Sequence, residues 1–277
     1  MSVITTAPST HLRPATAVST PDSDLRLVLA QIGFEQRSFW RNRTRAFFSV
    51  AFPLVFLVVF NAINGNHHIE EMGGIPYATW FVPGILAYGL IMATFTNLAT
   101  SVAVSRDAGV LKRIQGTPLP NWAFMAGRIG STLVTAAVLV GATLLLGSVA
   151  YDTQIRTSTL PGLVTTIALG SICFTILGLA ATTIIPNADS APAVLNLLVL
   201  PLTFISGIWM VLDGAPGWLD TVAKVFPVRP LAHSLQYAFH PATLGAGFVW
   251  SDLAVLAAWS IGGMIVCLRW FRWESKR

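Results

Sequence analysis

The sequence predicts an all-α integral membrane protein, with six transmembrane helices, an amphipathic N-terminal interfacial helix and both termini cytoplasmic. Three observations carry that prediction. Residues 46–66, 80–104, 127–150, 160–185, 191–212 and 246–268 are almost free of charge, and each approaches or exceeds the ~20 apolar residues that cross ~30 Å of hydrocarbon. Of the 277 residues 54% are hydrophobic and only 10% charged, and the mean hydropathy is +0.67, far from the soluble average. Basic residues crowd into alternate gaps between the apolar runs. Fourteen lysines and arginines fall in the N-terminal arm, the second-to-third loop and the C-terminus, against three (Arg156, Lys224 and Arg229) in the opposite set, which places the basic set inside.

Residues 1–22 are rich in Ser, Thr, Pro and Ala, have no apolar run and read as a disordered cytoplasmic tail. No cleavable signal peptide is expected, because the first apolar run begins after Arg45. Residues 23–45 form the interfacial element. Leu25, Val28, Leu29, Ile32, Gln36, Phe39 and Trp40 recur on one helical face and the arginines lie largely elsewhere, so the helix can rest in the headgroup plane or touch a cytoplasmic partner. Residues 46–270 then hold the spans, and 271–277 form a short cytoplasmic tail. A backbone in lipid must satisfy its own hydrogen bonds, which makes such runs helices. Pro186-Asn187-Ala188-Asp189-Ser190 separates the fourth from the fifth. Trp80, Trp209, Trp218 and Trp250 fall near outer ends, and Trp40, Trp122, Trp270 and Trp273 near inner ends, where interfacial anchors belong.

Two connections stand out. In the second-to-third loop, Val104, Ala108, Leu111 and Ile114 repeat at helical spacing before a Gly116/Pro118 stop. That pattern fits a surface helix whose apolar ridge docks in a partner's groove, or a basic loop that merely sets topology. The outer connection from Asp213 to about Gly245 is too apolar for a free loop, and is expected to fold back as one or two short helices broken by Pro227 and Pro230.

Several functions are excluded or disfavoured by what the spans carry. The net charge of +5 comes from residues flanking the spans, so anionic lipid explains it better than nucleic acid. Cys173 and Cys267 lie inside spans as ordinary thiols, and His233 and His240 have no further ligands at zinc spacing, so neither a disulfide framework nor a metal site is expected. No Asp, Glu, Lys or Arg sits mid-span, where ion-coupled carriers usually keep a charged group. Uncharged polar stripes do occur: Thr94, Asn97 and Ser101; Ser171, Thr175, Gly178 and Thr182; Asn196, Thr203 and Gly207. Ser, Thr and Gly suit helix packing. Asn97 and Asn196 cost more in lipid and must face a neighbouring helix or an aqueous pathway.

The run Arg106-Asp107-Ala108-Gly109-Val110-Leu111-Lys112-Arg113-Ile114-Gln115-Gly116-Thr117-Pro118-Leu119-Pro120 resembles the cytoplasmic loop of ABC-2 type permeases, the membrane subunits of ATP-binding-cassette exporters. Phe226-Pro227-Val228-Arg229-Pro230-Leu231-Ala232-His233-Ser234-Leu235-Gln236-Tyr237-Ala238-Phe239 resembles the outer segment before their last span. Within that family the chain is most similar to daunorubicin-resistance drug exporters. The resemblance covers residues 24–275. It implies a permease subunit in the cytoplasmic (inner) membrane that moves an amphipathic drug, lipid or polyketide-like substrate outward. It also implies a partner ABC ATP-binding subunit and a second copy of the chain or a related permease. The ATPase would dock through the N-terminal helix and a coupling loop containing Arg106, Asp107, Leu111, Lys112, Arg113 and Ile114. Spans one, two and five would approach the midline, making Asn97, Asn196, Thr203 and Phe204 candidates to line the substrate path. No G-x-x-x-x-G-K-[ST] loop occurs, so no cofactor is expected in this chain, ATP and Mg being bound by the partner, and no catalytic residue is expected here. The rival readings are a secondary transporter, an intramembrane enzyme, for which no G-x-S or paired-aspartate motif occurs, and a non-transporting scaffold.

Overall fold

A computed structural model describes residues 21–64, 67–70, 73–116, 119–212 and 216–270; of residues 21–23, 111, 112, 115 and 121 it describes the backbone alone. Of the expected tails, 1–22 and 271–277, residues 1–20 and 271–277 lie outside the described residues, while Pro21 and Asp22 already belong to the first helix. The rest is mostly helical. In chain order the helices are α1 (Pro21–Arg41), α2 (Arg43–Asn64), α3 (Tyr77–Asp107), α4 (Val110–Gln115), α5 (Asn121–Tyr151), α6 (Leu160–Ala181), α7 (Ala191–Phe204), α8 (Gly217–Val225), α9 (Val228–Phe239) and α10 (Trp250–Trp270). A two-residue antiparallel ladder, β1 (His68–Ile69) with β2 (Ile75–Pro76), closes the α2–α3 connection. Among the described residues five helices (α2, α3, α5, α6 and α10) are long and apolar enough to cross a membrane.

α3 is the spine. Every residue from Trp80 to Ile91 is buried, wrapped by α2, α5, α6 and α9, while α2, α5 and α10 keep outward apolar faces such as Val55, Val58, Val59, Val138, Ile261 and Ile265. Both α2 and α3 contain one π-helical stretch, at Phe47–Ala51 and Met92–Thr96. The second lets α6 come close. A Cβ on Gly178 would lie 2.8 Å from the Phe95 carbonyl oxygen, so only glycine fits against this widened turn.

The fifth apolar run is not one helix. α7 has 14 residues, or about 21 Å at 1.5 Å per residue, short of the ~30 Å hydrocarbon layer. Pro201 withholds a backbone donor near its end, and Gly207, at φ 79°, turns the chain out of the helical region. The non-helical continuation is tolerated because it is shielded by protein. Ser206, Gly207 and Ile208 are buried, and the Gln236 side chain donates to the Gly207 carbonyl at 2.9 Å. The expected span 191–212 is therefore a short helix followed by a packed, turning segment without regular structure. Replacing Gly207 by Val forces a β-branched residue into the left-handed region beside the Arg229 guanidinium, 3.1 Å from its Cβ. A loss of at least ~1–2 kcal/mol is expected in thermal unfolding of the purified protein.

Two further expectations change on contact with the structure. α1 lies along the first part of α5, with Gln31 and Ile32 against Gly127 and Gly130, so protein rather than headgroups covers much of its inner face. Trp80, expected as an interfacial anchor, is only 3% exposed and packs beside Tyr77 and Phe81; Trp218 and Trp250, by contrast, are well exposed. The connection before α10 does form two helices, α8 and α9, meeting at Phe226–Pro227, but Pro230, expected as a second break, does not interrupt them. Pro230 falls in the first turn of α9, where its missing N–H costs nothing.

Candidate functional site

The last residues of α3 tie four other elements together. The Ser105 hydroxyl accepts a hydrogen bond from Arg128 Nη1 at 2.9 Å, joining α3 to α5. Arg128 in turn pairs with Glu35 of α1 at 3.1 Å, and both side chains are nearly buried, at 8% and 13% exposure. The neighbouring α1 residue Gln36 donates to the Ser131 carbonyl (2.6 Å) and to the Ser131 and Thr135 hydroxyls (3.1 Å each). The Arg128 guanidinium also sits 4.7 Å from the centre of the Phe124 ring.

Arg106 points the other way. Its Nη1 donates to the Thr182 carbonyl at 2.9 Å and its Nη2 to the Ile185 carbonyl, placing a cation where the carbonyls left over at the end of α6 carry partial negative charge. Asp107 accepts the backbone N–H of Ala188, in the turn before α7. Three consecutive residues thus bind α1 through α5, the end of α6 and the start of α7. Gly109, at φ 67°, then reverses the chain into α4. There Arg113 is exposed and Ile114 half-buried; the side chains of Leu111 and Lys112 lie outside the described residues.

The four path candidates do not share one cavity. Asn97 lines a small polar pocket with Glu35, Arg45 and Arg128. Asn196 and Phe204 are exposed on α7, whereas Thr203 is fully buried and its hydroxyl donates to the Leu200 carbonyl of its own helix.

What joins the faces of α2, α3 and the segment after α7 is an aromatic strip. Phe52, Phe56 and Phe60 step down α2 with ring centres 4.6 and 5.7 Å apart. Phe60 stacks on Phe81 at 5.2 Å, and Trp209 lies 5.7 Å from Phe56 and 5.0 Å from Tyr88. Phe204 adjoins Trp209 at 6.5 Å. The Trp209 indole N–H is buried and has no partner among the described residues. The four-residue spacing of Phe48, Phe52, Phe56 and Phe60 is the sequence signal for this strip.

On the other side, ion pairs pin the α8–α9 hairpin. Asp220 meets Arg229 at 3.0 Å and also Lys224, and His233 and the Ser234 hydroxyl converge on Asp252 at 2.7 and 3.0 Å. The Lys224 hydrogen bond above all holds the Asp220 carboxyl below its ordinary range. Its contribution to stability is present above the unfolded carboxylate pKa and fades as pH falls through the folded value. Among the described residues no group of three or more His, Cys, Asp or Glu side chains could hold a metal ion.

The geometry is that of a multi-pass membrane protein with a tied polar end, and comparison with known proteins agrees. The model of the ABC-2 type transporter family matches residues 27–240. The inner membrane transport permease YadH of Escherichia coli K12 is 22% identical over 191 residues, covering 68% of this chain and 73% of YadH. The daunorubicin resistance ABC transporter permease protein DrrB1 of Streptomyces coeruleorubidus is 23% identical over 225 residues, covering 79% of this chain and 72% of its own. The probable multidrug ABC transporter permease YbhR of E. coli K12 is 23% identical over 173 residues, covering 62% and 45% respectively. With its family model matched over most of its length and its multi-pass apolar helices, the chain belongs to the ABC-2 type transporter family.

Proposed function

We propose that this chain is the membrane subunit of an ATP-driven exporter in the cytoplasmic membrane, with both termini cytoplasmic and α7 plus its non-helical continuation serving as a sixth crossing. A separate ABC ATPase, binding ATP and Mg, docks on α1 and α4. The cargo is an amphipathic molecule of the drug, lipid or polyketide kind, moving between this chain and a second copy or a related permease. The observation that carries the reading is the Ser105–Arg106–Asp107 junction. A push on α4 at the end of α3 reaches α1 and α5 through Arg128, and α6 and α7 through Arg106 and Asp107. Docking at one point would move most of the bundle. The aromatic strip supports an apolar, ring-bearing cargo, since ring pairs attract beyond their simple burial. Asn196 and Phe204, both exposed on α7, remain our candidates for contacting it, Phe204 beside Trp209. Thr203 is the weaker candidate because its helix already holds its hydroxyl.

Purifying the tagged chain from its native membrane should bring down an ABC ATPase. Replacing Leu111 and Ile114 together by Asp should then leave ATP hydrolysis running while export falls to background. If the double variant binds the ATPase and exports normally, α4 only sets topology.

A further inference from the structure

We infer that the chain carries its own lipid site: a groove that holds one acyl chain of an anionic phospholipid, with Arg269 at headgroup level. α7 packs against α9 and the end of α3, and between α7, α6 and α10 it leaves a cavity of about 620 Å³, well within the ~300–1,000 Å³ of ligand pockets. Its walls are Phe174 and Leu177 of α6, Leu198 and Leu202 of α7, and Gly262 and Val266 of α10. The hairpin tip closes one end, where Phe226 stacks on Trp259 at 5.8 Å.

The chemistry of the lining selects the occupant. Its hydrogen-bonding side chains are Thr183 and Trp259, and both are engaged, Thr183 donating to the Ala180 carbonyl at 2.8 Å and Trp259 to the Val225 carbonyl at 2.7 Å. Little is left to receive a polar ligand or to hold water, and a groove walled almost wholly by hydrocarbon favours hydrocarbon. The walls belong to apolar helices, so the hydrocarbon at hand is a lipid tail.

Charge complementarity names the headgroup. Gly262, Val266 and Arg269 follow one another at helical spacing, so the exposed Arg269 continues the groove's stripe of α10 one turn further along. No described residue forms an ion pair with it. A cation one turn beyond an apolar slot is where a lipid phosphate would sit. Asp189, in the turn before α7, is not among the lining residues. The leaflet, cytoplasmic on the proposed orientation, rests on that reading; the binding does not.

The test is native mass spectrometry of the full purified chain mixed with phosphatidylglycerol or phosphatidylcholine in detergent. One phosphatidylglycerol should survive washing per chain, retained about fivefold over phosphatidylcholine, the effect of one cation near an anionic lipid. A Cβ at Gly262 meets open space, so Gly262→Leu should fold, fill the slot and abolish retention of both lipids. Leu198→Phe, on the opposite wall, serves as a second blocker should the first unfold. Arg269→Gln should erase the headgroup preference and leave phosphatidylcholine retention unchanged. Retention untouched by the blocking variants, or a second copy of the chain displaced by them in place of lipid, would overturn the proposal. The assay needs neither ATPase nor export, so failure of the exporter reading would leave its result intact.

Discussion

Glu35→Gln should cost about 3–5 kcal/mol of stability, more than any surface change in α1, because it strands the Arg128 guanidinium in a nearly closed pocket. Arg128 has few other anions to turn to. Its Nη1 reaches the Ser105 hydroxyl, its Nε is buried without a partner, and Arg45, of like charge, lines the same pocket. Arg128→Met should cost less, because Arg45 lines the same pocket and its charge still faces the Glu35 carboxylate. The double variant should recover much of the loss, since a buried pair replaced by neutral groups of similar size is often tolerated. Thermal unfolding of all four proteins in one detergent measures the coupling. A coupling of ~2 kcal/mol or more supports a working latch between α1 and α5, whereas additive losses would mean that each residue acts alone.

The helical membrane class was legible because charge-free runs of this length have few other stable forms. The break at Pro186–Ser190 and the two short helices before α10 were legible too, although Pro and Asp do not always end a helix, since Pro201 and Asp220 lie inside α7 and α8. What escaped the sequence depended on partners distant along the chain. The run 191–212 is uniformly apolar, and nothing in its composition distinguishes Gly207 as a left-handed turn from a glycine that eases helix contact. Periodicity gave α1 an apolar face but could not say what would cover it, and the structure leaves Leu25, Leu29 and Phe34 exposed while Gln31, Ile32 and Gln36 meet α5. The Glu35–Arg128 pair joins residues 93 positions apart, and a charge count treats both as surface residues. The aromatic strip was readable in part, since its spacing along α2 is local, although its meeting with Trp209 is not.

Arg106 carries the second large effect. In a count of basic loop residues it is one positive charge among fourteen, but its side chain is 9% exposed and bonded to carbonyls at the end of α6. Arg106→Met would leave those buried oxygens without a charged donor, and a loss of about 3 kcal/mol is expected. Arg106→Lys separates topology from architecture. It keeps the charge that sets orientation, but a lysine is a compact cation that cannot span the Thr182 and Ile185 carbonyls as a planar fork does. It should therefore insert correctly, retain part of the stability and export poorly, because α6 and the turn before α7 would no longer follow the end of α3. Membrane insertion, thermal unfolding and export of the same two variants decide the matter. Full export by Arg106→Lys would show that the positive charge alone suffices and that movement reaches α7 by another route, of which the Asp107 contact with the Ala188 N–H is the nearest.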